Sequence, residues 1–389
     1  MSLAFEIFDQ KPRLKALLEH FSVIEDPRDT RRVGYRLDEV LLLVVCGTMA
    51  ECDDYDTIAA WGKAHVHVLR RYLPYEFGTP GGRWLTILMN RIDPTLFSAC
   101  FTNWVRATWP DKLDLVAIDG KTSRRSHDRA EGKAPLHLVT AFATTQRLVL
   151  GQEPVADKSN EIEAIPELVA RLGENGGLEG ALVSIDAIAT NPTIAAAILD
   201  VGADYLLAVK ENQPTLRAEL ETFFRDHKPA PGDVHEDVDK GHGRIEQRVV
   251  TVAREVDWLG GDRRYPGELR LPAIKTIIKV RSRAETKQNG REDTRYYISS
   301  ATLTAERAGH AVRGHWGIEN RLHWVLDVVF REDQSRLRKG HGAKNMAIVR
   351  HFALNLMRSA KDKHSLRLRR KMAGWDPNYL IALIEGSGR

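Results

Sequence analysis

The chain predicts an α/β fold: a mixed sheet flanked by helices, preceded by a helical amino-terminal module and interrupted by a β-rich insertion. Three observations carry this. Apolar residues recur at three- and four-residue spacing over about the first hundred positions. From Leu113 onward short apolar runs alternate with helical stretches, and from about 230 to 303 strand patterning takes over.

Within the first region, Arg13–Phe21, Leu37–Met49, Tyr55–Leu73 and Pro94–Thr108 read as helices, separated by turn chemistry in EDPRDTRR and PYEFGTPGG. VLLLVVCGTMA (40–50) is apolar on all sides but too short to span a bilayer, so it reads as a buried helix. Trp109-Pro110 marks the boundary of this 1–108 module.

Beyond it, LDLVAID reads as a strand, and HLVTAFATT with RLVLGQEPV as a hairpin turning at Thr145-Gln146. A helix over Glu163–Leu172 stops at GENGG. Strand ALVSID, helix NPTIAAAILDVG, strand DYLLAVK and helix QPTLRAELETFFRDH complete the series. Three strands in a meander, then a helix crossing to a parallel fourth strand, form the ribonuclease H arrangement. There the first and fourth strands lie side by side. Asp119 and Asp186, at the ends of those strands, are then expected to be neighbours in space.

The insertion holds KGHGRIEQRVVTV and the hairpin AIKTIIKVRSR–AETKQNGRED–TRYYISS. Helical periodicity resumes at Thr304, an N-cap with Glu306 in the first turn, and this helix carries Glu319. The catalytic region thus spans 109–360, and a basic segment, 361–389, ends the chain.

At 389 residues, 43% hydrophobic and 28% charged, the composition is that of a soluble globular protein. The net charge of +4 is small, but basic residues cluster at RDTRRVGYR, KTSRRSHDR and KDKHSLRLRRK, which favours polyanionic partners over a membrane. Cys46, Cys52 and Cys100 lack metal-finger spacing, and MSLAFEIFDQK lacks the pattern of a leader; the expected location is the cytoplasm.

Asp119, Asp186 and Glu319 are the candidate catalytic and metal-ligating residues. An Asp-Gly after a strand is ordinarily a turn, and an Asp after ALVSI can simply cap the next segment. Adjacent carboxylates, however, repel one another, a cost that a divalent cation removes. Oxygen ligands with few histidines point to Mg²⁺, with Mn²⁺ as a substitute. Asp327, Glu332 and Asp333 are rival third acids, and His315 and His323 share the helix face of Glu319, where they could simply pair with it. No HEXXH zinc pattern is present. Two cations about 4 Å apart can activate an attacking hydroxyl and stabilise a leaving oxygen. Lys121, Arg124 and Arg125 come directly after the first acid as candidate phosphate contacts. Lys210 and Asn212 could face the rim of Asp186 or merely cap the next helix, and His242 and Arg244 sit in a glycine-flanked turn suited to a backbone or hairpin contact, or simply to a tight turn.

Over nearly its whole length the chain resembles bacterial insertion-sequence transposases of the DDE class, in the H-repeat-associated (ISAs-type) group. DPRDTRRVGYRLDEVLLLVVCG, AIDGKTSRRS, VADKSNEI, VSIDAIATN, GADYLLAVKENQ, GHGRIEQR and HWGIENRLHWVLDVVFREDQSR carry the resemblance. It implies a ribonuclease H-like catalytic domain, Mg²⁺ and a triad at Asp119, Asp186 and Glu319. It also implies double-stranded DNA partners, namely terminal inverted repeats and target DNA, and a homo-oligomer assembled on two DNA ends. Two positions depart from the wider pattern. The Tyr, Arg and Lys expected around the third acid fall on Val312, His315 and Leu326, leaving Arg313, His315 and Arg321 as the candidate DNA contacts; Asn191 stands where Gln is expected. A catalytically degenerate DNA-binding remnant and a repair or resolving nuclease with the same core are the alternatives.

Overall fold

The computed structural model describes residues 12–29, 33–128, 131–155, 161–241, 244–259, 270–285 and 290–386. Its strands are β1 (Leu115–Ser123), β2 (Leu136–Ala143), β3 (Leu148–Val155), β4 (Leu182–Ile185), β5 (Asp204–Val209), β6 (Val234–Gly241), β7 (Arg244–Ala253), β8 (Thr276–Glu285) and β9 (Gly290–Ser299). All join one mixed sheet in the order β3-β2-β1-β4-β5-β9-β8-β7-β6. β1 pairs antiparallel with β2 and parallel with β4, which pairs parallel with β5. The two parallel steps are made by the helices Glu161–Gly173 and Pro192–Asp200.

The β-rich region is a continuation of this sheet. β9 pairs antiparallel with β5, from Leu206↔Ser299 to Val209↔Tyr296. Buried Ser299 and Ser300 lock the junction: the Ser299 hydroxyl donates to the Tyr205 carbonyl at 2.6 Å, and Tyr205 N–H donates to Ser300 Oγ at 2.9 Å. Residues read as an interruption therefore extend the sheet by four strands.

Both faces of the sheet are covered. On one, Leu115, Leu182, Leu206, Val250 and Ile278 pack against Ala308, Ala311 and Val312 of the helix Ala305–Ile318. On the other, Val116, Ile118, Val139, Val183 and Leu207 share a continuous core with the amino-terminal helices and the long helix Gly342–Arg358. The helix Leu37–Met49 is buried at every position, as its all-round apolar character requires. Asn355, buried in Gly342–Arg358, accepts from Val149 N–H at 3.0 Å and donates to the Val149 carbonyl at 2.8 Å, capping edge-strand groups of β3 that would otherwise be buried unpaired.

Two elements of the amino-terminal region differ from the sequence reading. The helix expected over Tyr55–Leu73 ends at Leu69. The chain turns early to bury Tyr75, whose N–H donates to Glu39 Oε1 at 2.6 Å and whose hydroxyl donates to the Glu39 carbonyl at 2.7 Å. A further helix, Gly82–Met89, lies after the glycine-rich turn; eight residues are too few for periodicity to reveal it. No described helix is long and apolar enough to cross a membrane.

Candidate active site

The parallel ladder of β1 and β4 runs from Leu115↔Leu182 to Ile118↔Ile185. The next residue on each strand is an acid, Asp119 and Asp186, so register alone makes them neighbours. β1 does not end there, as read from sequence. It continues beside β2 to Ser123, and Asp119 stands where the parallel partner leaves. Beyond Ile185 the backbone enters the short turn Ala187–Ala189, held to the end of β5 from three sides. Thr190 Oγ1 donates to the Ala208 carbonyl at 2.8 Å, Asn212 Nδ2 to the Ala187 carbonyl at 2.8 Å, and Gln213 Nε2 to the Thr190 carbonyl at 2.6 Å. Asn191 caps the following helix by accepting from Ile194 N–H at 2.9 Å.

Glu319 arrives on the other side. The helix Ala305–Ile318 can lie close on β1 because position 314 is glycine: a Cβ there would stand 2.2 Å from Leu115 Cδ2. At Glu319 the backbone widens into a π-helical turn, Glu319–His323, before α-helix resumes at Trp324. Such turns re-aim side chains and are common at functional sites. This one brings Glu319, Asp119 and His323 together, with ligand-type atoms all within 4.8 Å of one another. His323 Nδ1 lies 3.5 Å from Glu319 Oε2 and 3.7 Å from Asp119 Oδ2. Asp186 stays outside that group, because Lys210 Nζ holds its two oxygens at 2.7 and 2.9 Å.

The charges are strained in a way that singles out Asp119. Burial raises its pKa from 3.8 to about 6, and the nearby Glu319 and Asp186 add to the rise against the opposing pull of His323 and the Gly120 N–H. Glu319 is drawn below its ordinary value, chiefly by His323. Burial opposes the charge of Asp186 too, but Lys210 and the Ala187 N–H hold its pKa below the usual value. Burial also lowers the pKa of His315, whose Nδ1 meets Ser184 Oγ at 3.1 Å. The centre thus holds three carboxylates, one lysine and His323, with Asp119 the acid least compensated. Hard oxygen donors crowded at a half-buried strand end fit a divalent cation.

The candidate phosphate contacts divide. Lys121 is engaged by Asp327 at 2.7 Å and Glu332 at 2.6 Å, and its side chain is only 11% exposed. Arg313 bridges Asp237 and Asp239 on β6 at 2.7 and 2.6 Å. Arg124 is exposed, with Asp333 at 3.5 Å, and Arg125 is exposed beside it. Arg244 begins β7, and His242 lies outside the described residues. In the terminal basic run, Arg369 and Arg370 are buried: Arg370 binds the Thr48 carbonyl and Asp53, and Arg369 binds Asp362 and nearby carbonyls.

Two features escaped the sequence reading. His323 belongs to the centre; its four-residue offset from Glu319 was visible but is common on any helix. Arg147, at the turn between β2 and β3, gathers with Arg321 and Arg358. Arg358 donates to the Arg147 carbonyl at 2.7 Å and to the Arg321 carbonyl, and no carboxylate partners any of the three among the described residues. Burial, helped by Arg147 and Arg321 beside it, pushes the Arg358 pKa down. Arg321 also lines a groove of about 880 Å³ between the Ala305–Ile318 helix and the β6–β9 face.

The chain resembles known proteins along most of its length. The family described as "Transposase DDE domain" matches residues 92–356, and "DDE_Tnp_1-associated" matches residues 18–105. The chain is 36% identical over 388 residues to the "H repeat-associated putative transposase YhhI" of Escherichia coli K12, covering 96% of this chain and 99% of that one. It is 35% identical over 386 residues to the "Putative transposase YncI" of Escherichia coli O157:H7, covering 95% of each. Among solved structures, a piggyBac transposase synaptic complex with hairpin DNA aligns over 98% of this chain and 79% of that one, at 11% identity and a TM-score of 0.38. The chain belongs to the insertion-sequence DDE transposase family.

Proposed function

We propose that this member of the DDE transposase family cleaves and joins DNA at insertion-sequence ends by two-metal-ion phosphoryl transfer, with Asp119, Asp186 and Glu319 holding Mg²⁺. One observation carries the proposal: Asp119 and Asp186 come directly after the last register pair of two parallel strands, and Glu319 is brought over Asp119 from a helix two hundred positions on. The order β3-β2-β1-β4-β5 supports a ribonuclease H-like core, to which β6–β9 add an edge extension.

In this reading the bound cations supply Lewis-acid stabilisation of the phosphate and of the attacking and leaving oxygens. The chain supplies the rest. The half-buried setting of Asp119 strengthens its charge interactions by excluding water. Lys210 balances Asp186 and stands at the same rim, where it can shift to a phosphate. Arg147 and Arg321 offer guanidiniums without a carboxylate partner beside the turn of Glu319, suited to contact with the DNA backbone, while Arg358 holds both through their carbonyls. Exposed Arg124 and Arg125 extend the positive rim beyond β1. The helical 1–108 region is assigned to end recognition, and the active form to a homo-oligomer holding two ends.

The test is substrate choice. Purified protein with Mg²⁺ should nick a duplex carrying the inverted repeats that flank its coding region, at the repeat boundary, and leave a scrambled duplex intact. Cleavage of branched DNA irrespective of repeats would instead identify a resolving nuclease. Binding of the repeats without cleavage would identify a DNA-binding remnant.

A further inference from the structure

We infer that His323 is a nitrogen ligand of the cation at this centre, so that one position is held by Asp119, Glu319 and His323 and not by carboxylates alone. The inference rests on the proposed function only in taking Asp119 and Glu319 as ligands.

His323 is 5% exposed, and its Nδ1 faces both acids, at 3.5 Å from Glu319 and 3.7 Å from Asp119. Those separations are long for charge-assisted hydrogen bonds, which run to about 2.9 Å. They suit atoms sharing one ion: ligands about 2.1 Å from an octahedral centre stand about 3 Å apart when adjacent and about 4.2 Å apart when opposite. The Nε2 atom is buried without a partner.

A histidine with a purely structural role looks different in this same fold. His137, equally buried, joins Thr122 Oγ1 at 2.7 Å through Nδ1 and Glu161 Oε1 at 2.6 Å through Nε2. His323 makes neither kind of short contact. The π-helical turn is the device that serves it, bringing residues 319 and 323 together beside Asp119. Asp186, paired with Lys210, lies outside this group and would serve a second position once Lys210 turns away. An imidazole among carboxylates favours Mn²⁺ and other transition ions over Mg²⁺ more than oxygen ligands do.

The experiment is electron spin-echo spectroscopy of Mn²⁺ bound to the full chain, with Mn²⁺ affinity measured in parallel by calorimetry. The wild-type echo should show ¹⁴N modulation from a directly bound imidazole. His323→Gln should abolish it and weaken Mn²⁺ by about tenfold or more; His315→Gln should leave it in place. Absence of ¹⁴N modulation in the wild type overturns the inference without any variant having to fold. So does modulation that persists in His323→Gln. If Asp119→Ala and Glu319→Ala lose Mn²⁺ while His323→Gln keeps its full affinity, only the histidine's role fails. If neither acid variant loses Mn²⁺, the carboxylate reading fails with it.

Discussion

Lys121 Nζ lies 2.6 Å from Glu332 Oε2, joining residues 211 positions apart and tying β1 to the segment beyond the Glu319 turn. Asp327 completes the clamp at 2.7 Å, and Arg350 approaches Glu332 at 3.5 Å. Burial works against the charge of Glu332, but Lys121 and Arg350 hold its pKa below the ordinary value. The lysine two residues after Asp119 therefore fixes the distance between the two arms of the centre.

Removing that lysine should act on the fold. Lys121→Ala strands a buried carboxylate and is expected to cost about 3 kcal/mol in urea denaturation. The salt dependence of DNA binding should keep its slope. A slope reduced by about one with stability unchanged would make Lys121 a phosphate contact instead.

Asp119 carries a stability cost with a defined pH window. Its pKa rises from 3.8 to about 6 on folding, so its ionised form destabilises the native state. That cost is absent below 3.8, grows as pH rises, and is complete above about 6. Without divalent cations, Asp119→Asn should stabilise the protein by about 1–3 kcal/mol at pH 7.5 and by nothing near pH 3.5. Saturating Mg²⁺ should stabilise the wild type and erase the advantage. Equal stability of the two proteins at pH 7.5 in chelator would refute the strained-acid account.

Close approach of the Glu319 helix depends on Gly314. In Gly314→Ala the new methyl meets Leu115, and a loss of about 1–3 kcal/mol is expected. Cleavage should fall with it as Glu319 is displaced. Adding Leu115→Ala should recover part of the activity, a non-additive result in a double-mutant cycle. Additive losses would mean that the contact does not set the helix position.

His351 provides a test away from the acids. Buried on the Gly342–Arg358 helix, it is pushed from 6.5 to about 4, mainly by burial. The unfolded chain takes up a proton below 6.5 and the folded chain only near 4, so stability drains away as pH falls between those values. Relative to wild type, His351→Leu should gain about 2 kcal/mol between pH 7 and pH 5 in denaturation midpoints. A difference that stays constant with pH would show that His351 takes up its proton at the same pH folded and unfolded, and would contradict the shift.

Strand order was legible because each core strand is a short apolar run ending in turn residues, and Asp119 and Asp186 come straight after such runs. The joining of β9 to β5 was not. It depends on Ser299, Ser300 and Tyr205 finding one another, and no local pattern announces which strand a hairpin will pair with. The role of His323 was hidden for a related reason, since a π-helical turn is a change of backbone that leaves residue spacing unaltered. Charges were the least readable. Lys121, Arg313 and Arg370 looked like free cations in the sequence and found carboxylates or carbonyls far along the chain, and Arg369 found Asp362 close by. Arg147, Arg321 and Arg358, from three separate stretches of the chain, gathered without an acid among the described residues.

The central claim is that Asp119, Asp186 and Glu319 together make one cation-dependent cutting centre. Its most direct measurement is Mg²⁺-dependent cleavage of a labelled inverted-repeat duplex by wild type and by the Asp119→Ala, Asp186→Ala and Glu319→Ala variants, with binding followed on the same duplex. Each variant should lose cleavage by at least about a thousandfold, a transition-state loss of about 4 kcal/mol, while binding the duplex nearly as the wild type does. Wild-type cleavage rates in any one of the three would contradict the account.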